Sequence, residues 1–169
     1  MRMLLRRPRA LLVAALLVVS CIVSDRLTKY EAMTLLRGRP AREMAGGAIR
    51  FAYAENRGAM LSFGAALPEP SRFWLLTVGV GLLLLGMLAV LLFAKHLSRT
   101  LVAGLALMLG GGASNFFDRL LNDGRVVDFV TLGWGAMRTG VFNLADVAIT
   151  FGVSLFFVAV IRRHSNLQQ

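Results

Sequence analysis

Two aspartates stand in parts of this chain where a carboxylate is out of place. Asp128 lies in Gly124-Arg-Val-Val-Asp-Phe129, and Asp146 ends Phe142-Asn-Leu-Ala-Asp146 at the head of an apolar run. An ionisable side chain at membrane depth is costly and marks a functional site by default. Two carboxylates that meet at the edge of a dry site can share one proton. One can then act as base and the other as acid on a single water. Each residue also has a plainer reading. Asn143 and Asp146 have the spacing of a helix N-cap and its N3 partner, which predicts a capping contact at the positive end of a helix. Asp128 could be a solvated loop aspartate.

Other polar residues recur at helical spacing. Asp25 and Lys29 are four apart and share a helix face, where they can form an ion pair. Asn115 and Asp118 are three apart, with Arg119 adjacent. The planar fork of Arg119 suits a carboxylate or a backbone carbonyl. Its plain reading is a closed Asp118–Arg119 pair, and its functional reading is a contact to substrate. Other chemistries find little material. His96 and His164 are the two histidines, and both fall away from these acids, so a Ser/His/Asp set is not available. Gly110-Gly-Gly112 lacks the Lys-Ser/Thr of a phosphate-binding loop. The single cysteine, Cys21, forms no internal disulfide, and without a Cys/His cluster no metal or other cofactor is expected.

These residues need a scaffold, and composition says which. The chain has 169 residues, of which 57% are hydrophobic, more than a soluble domain carries. The apolar residues come in runs, which predict four transmembrane helices over about 10–33, 72–95, 99–121 and 142–162. External segments follow at about 34–71 and 122–141, all within one membrane domain, 1–169. Residues 48–55 alternate imperfectly and read as a strand. Gly110-Gly-Gly-Ala-Ser114 lies inside the third span, where small residues let another helix approach. Trp134 fits an interfacial anchor.

The net charge of +10 could suggest nucleic acid, but its distribution argues against that partner. Arg2, Arg6, Arg7 and Arg9 precede the first span, Lys95 and Arg99 separate the second and third, and Arg162 and Arg163 end the fourth. No acid accompanies them, and all 9 acids fall on the other side. Basic residues beside the first span set orientation, so both termini are expected in the cytoplasm. The first span also contains Val18-Val-Ser-Cys21, which looks like a lipidation signal. Three further spans favour Cys21 as a small buried residue instead.

Taken together the motifs match a family. Asp25-Arg-Leu-Thr-Lys29, Asn56-Arg-Gly-Ala59, Gly111-Gly-Ala-Ser-Asn115, Asp118-Arg119 and the two aspartate segments occur in one order over nearly the whole chain. The chain resembles the bacterial lipoprotein signal peptidases, or signal peptidase II. The resemblance implies an all-α polytopic membrane protein, with four transmembrane helices and a small external β-cradle. It implies an aspartic endopeptidase that works without metal. Its partners would be membrane lipids and prolipoproteins carrying diacylglycerol on a cysteine, and the bond cut is the one just before that cysteine. Carried over by motif, Asp128 and Asp146 look like the catalytic pair. Asn56, Asn115, Arg119 and Asn143 look like substrate-binding and positioning residues, and Asp25, Lys29 and Asp118 like support. The expected setting is the bacterial inner membrane, with a monomer whose active site faces outward. Two departures stand out: Met60-Leu61 where the family usually has Ala-Phe, and Ser114 where it usually has Gly. The rival readings are a small proton- or ion-coupled transporter, since intramembrane acids also mark proton relays, and a non-catalytic assembly factor.

The charge distribution yields a direct test. Single cysteines within 35–70 and 122–140 should react with an impermeant thiol reagent added from outside intact cells. Labelling confined to the cytoplasmic side would reverse the topology.

Overall fold

The computed structural model describes residues 7–59, 63–94 and 96–165. Four helical segments among them are long and apolar enough to cross a membrane. The first, α1 (Arg7–Leu36), starts and ends a turn beyond the expected bounds. The second begins after Pro68 as α2 (Glu69–Arg72), with a proline in its first turn where no amide is needed. It continues through a π-helical stretch, Phe73–Gly79, into α3 (Val80–Phe93). Then come α4 (Arg99–Leu121) and α5 (Leu144–Ser165). Ser98 caps α4, its hydroxyl accepting from the Leu101 amide at 3.2 Å. The outer faces are apolar and uncovered, with Leu16, Leu82, Leu85, Phe151 and Phe157 more than half exposed. Lipid is the solvent that suits such faces.

The bundle is organised around α4. Over its most apolar stretch 56% is buried, against 11% to 22% for the other spans. Three consecutive glycines explain how one helix can touch all its neighbours. Residues along a helix turn by about 100° per step, so Gly110, Gly111 and Gly112 face different helices. A Cβ on Gly110 would lie 3.0 Å from the Val18 carbonyl oxygen of α1. On Gly111 it would lie 2.5 Å from the Ala145 carbonyl oxygen of α5, and on Gly112 2.7 Å from the Leu84 side chain of α3. The small-residue reading of this segment therefore holds. Cys21 packs against Gly110, as a small residue would.

At one end of the bundle lies a four-stranded antiparallel sheet, ordered β1 (Arg42–Met44), β2 (Ile49–Asn56), β3 (Val126–Trp134) and β4 (Met137–Arg138). The strand expected at 48–55 is β2. The strand β3 corrects the reading of Asp128 as a solvated loop residue. Asp128 is 1% exposed and sits opposite Ala54 of β2. The run Val126, Val127, Asp128, Phe129 is buried throughout, so the alternation that betrays a half-exposed strand is missing. Phe129 packs with Ala32 and Leu36, which seats the sheet on the end of α1. Trp134 is well exposed near the tip, as an interfacial anchor would be.

The glycine contacts predict a graded response. Gly111→Val should lower the stability of the purified protein by roughly 1–3 kcal/mol, as overpacking does. Gly86→Val, where nothing lies within 4 Å, should be tolerated. Thermal midpoints in detergent would report both, and equal midpoints would contradict the packing account.

Candidate active site

The site is built outward from Lys29. Its ammonium has three hydrogens and three buried acceptors: Asp25 Oδ2 at 2.6 Å, Asp118 Oδ2 at 2.8 Å and Asn115 Oδ1 at 2.8 Å. Lys29, Asp25 and Asp118 are each at most 1% exposed. Asp25 reaches two other helices. Its Oδ1 accepts from the Ala145 amide at 2.9 Å, and its Oδ2 accepts from the Ser114 hydroxyl at 2.6 Å. Asp118 reaches the sheet, its Oδ2 accepting from the Val127 amide at 3.2 Å. The expected Asp25–Lys29 pair is present, and it is one edge of a network joining α1, α4, α5 and β3.

The Asp118–Arg119 pair is not formed. Asp118 Oδ1 pairs with Arg26 Nη1 instead. Arg119 donates through Nη1 to the Asn115 carbonyl at 3.3 Å and through Nη2 to the Gly58 carbonyl at 2.8 Å. Adjacent residues on a helix do not face each other. Asp118 therefore turns toward α1, while Arg119 turns toward the Asn56–Ala59 turn. Arg26 is the residue that sequence reasoning missed. Its place beside Asp25 was visible, but its partner is 92 residues away.

Around this network Asp128 and Asp146 come together through Asn143. The Asn143 Oδ1 accepts from the Asp146 amide at 2.9 Å, and Asp146 Oδ2 accepts from the Asn143 amide at 3.3 Å. That is the reciprocal cap the spacing predicts. The Asn143 Nδ2 donates to Asp128 Oδ1 at 2.7 Å, and shares its hydrogens with Asn115 Oδ1 and the Val127 carbonyl. One asparagine thus holds both carboxylates. Asn115 Nδ2 donates to Asp146 Oδ1 at 2.9 Å, and Asn56 Nδ2 to Asp128 Oδ2 at 3.0 Å. Asn56 also accepts from the Gly58 amide and donates to the Ala59 carbonyl, which closes its turn. All four carboxylate oxygens of the pair therefore accept N–H groups from neutral donors.

Both aspartates line one cavity of about 200 Å³, with Asn56, Asn115 and Arg119 around them and Val80, Val126 and Ile149 as apolar wall. Burial, and next the charge of Asp146, push the Asp128 carboxyl up to about 7, while the amides of Asn56 and Asn143 oppose the rise. A carboxylic acid that stays protonated near neutral pH can donate a proton, and an ionised one beside it can accept one. Among the described residues no group of three His, Cys, Asp or Glu is placed to hold a metal ion. Of the two departures, Ser114 is fully buried with its hydroxyl on Asp25, while Met60 and Leu61 lie outside the described residues.

Fold and site together define a multi-pass membrane protein with a buried carboxylate pair at one end of its helices. Comparison with known proteins narrows this. The family profile for Signal peptidase (SPase) II matches residues 17–162, so the chain belongs to the signal peptidase II family. A lipoprotein signal peptidase of Dichelobacter nodosus is 35% identical over 148 residues, covering 88% of this chain and 93% of that protein. One from Pelodictyon phaeoclathratiforme is 32% identical, covering 84% and 86%. In fold the chain is similar to a bacterial membrane enzyme solved by the in meso method at 2.3 Å resolution. The TM-score is 0.76 at 23% identity, with 91% of this chain and 90% of that one covered. These comparisons lend the transporter reading no support.

The raised Asp128 carboxyl has a consequence for stability. Between its ordinary value of 3.8 and about 7 the folded state holds a proton that the unfolded state has released. Its contribution is complete below 3.8 and is lost as pH rises through about 7. Asp128→Asn removes this dependence. The thermal midpoint of the variant should therefore gain on the parent as pH rises across that window. Parallel curves for the two proteins would show that Asp128 is not so perturbed.

Proposed function

We propose that this chain is an aspartic endopeptidase of the bacterial inner membrane, which removes signal peptides from diacylglyceryl-modified prolipoproteins just before the lipidated cysteine. The observation that carries this reading is the meeting of Asp128 and Asp146 on one cavity through Asn143, in a member of the signal peptidase II family. Its substrate class follows from the relatives, which are named lipoprotein signal peptidases.

The chemistry divides between the two carboxyls. Asp146 is the base. It sits at the positive end of α5, where an anion is favoured. Asp128 is the acid, because burial and the neighbouring charge favour its neutral form. A water between them gives a proton to Asp146 as it attacks the scissile carbonyl. Asp128 gives its proton to the carbonyl oxygen. The tetrahedral adduct then collapses as Asp146 passes the water's proton to the leaving nitrogen and Asp128 takes one back from a hydroxyl of the adduct, which restores both carboxyls. The products are a peptide carboxylate and the free amine of the lipidated cysteine. Asn56, Asn115 and Asn143 fix the carboxyl planes. Arg119, held on Gly58, lines the cavity beside the pair, where its guanidinium meets substrate. The acyl chains stay in the bilayer and orient the peptide at the head-group level. The acid-free basic ends of the chain support cytoplasmic termini and a site at the outer face.

Three variants test this side by side on a lipidated prolipoprotein. Asp128→Asn and Asp146→Asn should each lower turnover by about 100-fold or more while staying folded, since a neutral amide is easier to bury than a carboxylate. Asp118→Asn should act on stability. It strips Lys29 and Arg26 of a charged partner, at a cost of roughly 3 kcal/mol, yet its folded fraction should still cleave. A chelator should leave the parent unaffected. Near-normal turnover by either dyad variant would overturn the assignment.

A further inference from the structure

A second cavity of about 300 Å³ lies beside the first and shares Arg119 with it. It sits where the second span begins and the third ends, so both walls belong to the same membrane level. Its floor is apolar, from Phe73, Leu76 and Leu120. Phe73 and the neighbouring Trp74 are more than half exposed, as aromatic residues at a lipid head-group boundary are. The π-helical stretch brings the buried Thr77 into the lining. Such stretches are uncommon and recur at functional sites.

The charges around this floor are mixed in sign, and Arg57, Glu69 and Asp123 are exposed to whatever enters it. Arg57, Arg72, Glu69 and Asp123 all line the cavity. Among the described residues none of the four forms an ion pair, and Arg72 donates to the Ala65 carbonyl instead. The deep wall holds Arg119, 9% exposed, whose Nε hydrogen has no acceptor among the described residues. An anionic headgroup would satisfy the arginines but would meet two carboxylates. A ligand carrying both a phosphate and an ammonium satisfies all four. The carboxylates call for an ammonium that donates hydrogen bonds, which a quaternary one cannot do.

We propose that this cavity binds the headgroup of a phospholipid bearing a phosphate and a primary ammonium, with phosphate on Arg57 and Arg72, ammonium on Glu69 and Asp123, and acyl chains against Phe73, Leu76 and Leu120. The proposal does not rest on the peptidase reading, although Arg119 is common to both cavities. Because Arg119 lines both cavities and holds Gly58, a bound headgroup would steady the turn that carries Asn56.

The chain has 2 tryptophans, and Trp134→Phe leaves Trp74, beside the cavity, as the single reporter. The full chain would be placed in phosphatidylglycerol nanodiscs containing a small fraction of one brominated lipid. Brominated phosphatidylethanolamine should quench Trp74 severalfold more than brominated phosphatidylcholine, phosphatidylglycerol or diacylglycerol at the same fraction. That excess should vanish in Glu69→Gln and in Arg72→Gln. Arg57→Gln, at an exposed position, gives the same reading if Arg72→Gln fails to fold. Equal quenching by all lipids would overturn the proposal. So would preference for phosphatidylglycerol, which marks an anionic site, or for diacylglycerol, which marks recognition of the glycerol esters. An ethanolamine preference that survives the substitutions would place recognition elsewhere and equally overturn it.

Discussion

The buried ammonium of Lys29 is the interaction on which the rest of the site depends. A lone charge at this depth would be prohibitive. Here each hydrogen has an acceptor, two of them carboxylates, and each acceptor links the lysine to a different part of the site. Through Asp25 the lysine fixes the amide of Ala145, one residue before Asp146. Through Asp118 it fixes the amide of Val127, one residue before Asp128. Through Asn115 it fixes the donor on Asp146 itself. Two reactive groups on a helix and a strand are thereby referred to one point on α1. Buried ion pairs contribute little net stability. Their value here is geometric, because a carboxyl pair is useful only while both members are held in place.

Close packing makes that reference possible. Asp25 can reach Ala145, and Lys29 can reach Asn115, because Gly110 and Gly111 let α1 and α5 approach the backbone of α4. In lipid, where no hydrophobic force draws helices together, such close approach is a main source of association. Ser114 extends the same logic. A residue larger than Gly beside Asn115 is accommodated, and its hydroxyl supplies Asp25 with one more donor. The departure from the family pattern thus joins the network without opening it.

Much of this could be read from the chain. The four spans followed from uninterrupted apolar runs, and the sheet's first long strand from partial alternation. The Asn143–Asp146 spacing announced a helix cap, and the cap is there. What spacing could not show is that the capping aspartate also turns an oxygen to Asn115, so that cap and site are one arrangement. The strand around Asp128 was hidden because both of its faces are covered, and full burial erases the period of two. Adjacency misled at Asp118 and Arg119, whose side chains diverge around the helix. Arg26 was illegible for a related reason, since its partner is set by helix–helix packing and not by the local sequence. The family motifs brought the polar residues together as a set, which no single spacing could do.

The division of labour between the two carboxyls requires that water, and not an aspartate, attacks the scissile carbonyl. A single turnover on a lipidated prolipoprotein, in water enriched in the heavy oxygen isotope, tests this directly. The account predicts that the label enters the new carboxylate of the released signal peptide and that Asp128 and Asp146 stay unlabelled. Label in either aspartate, with an unlabelled peptide carboxylate from the first turnover, would show direct attack by the enzyme and contradict it.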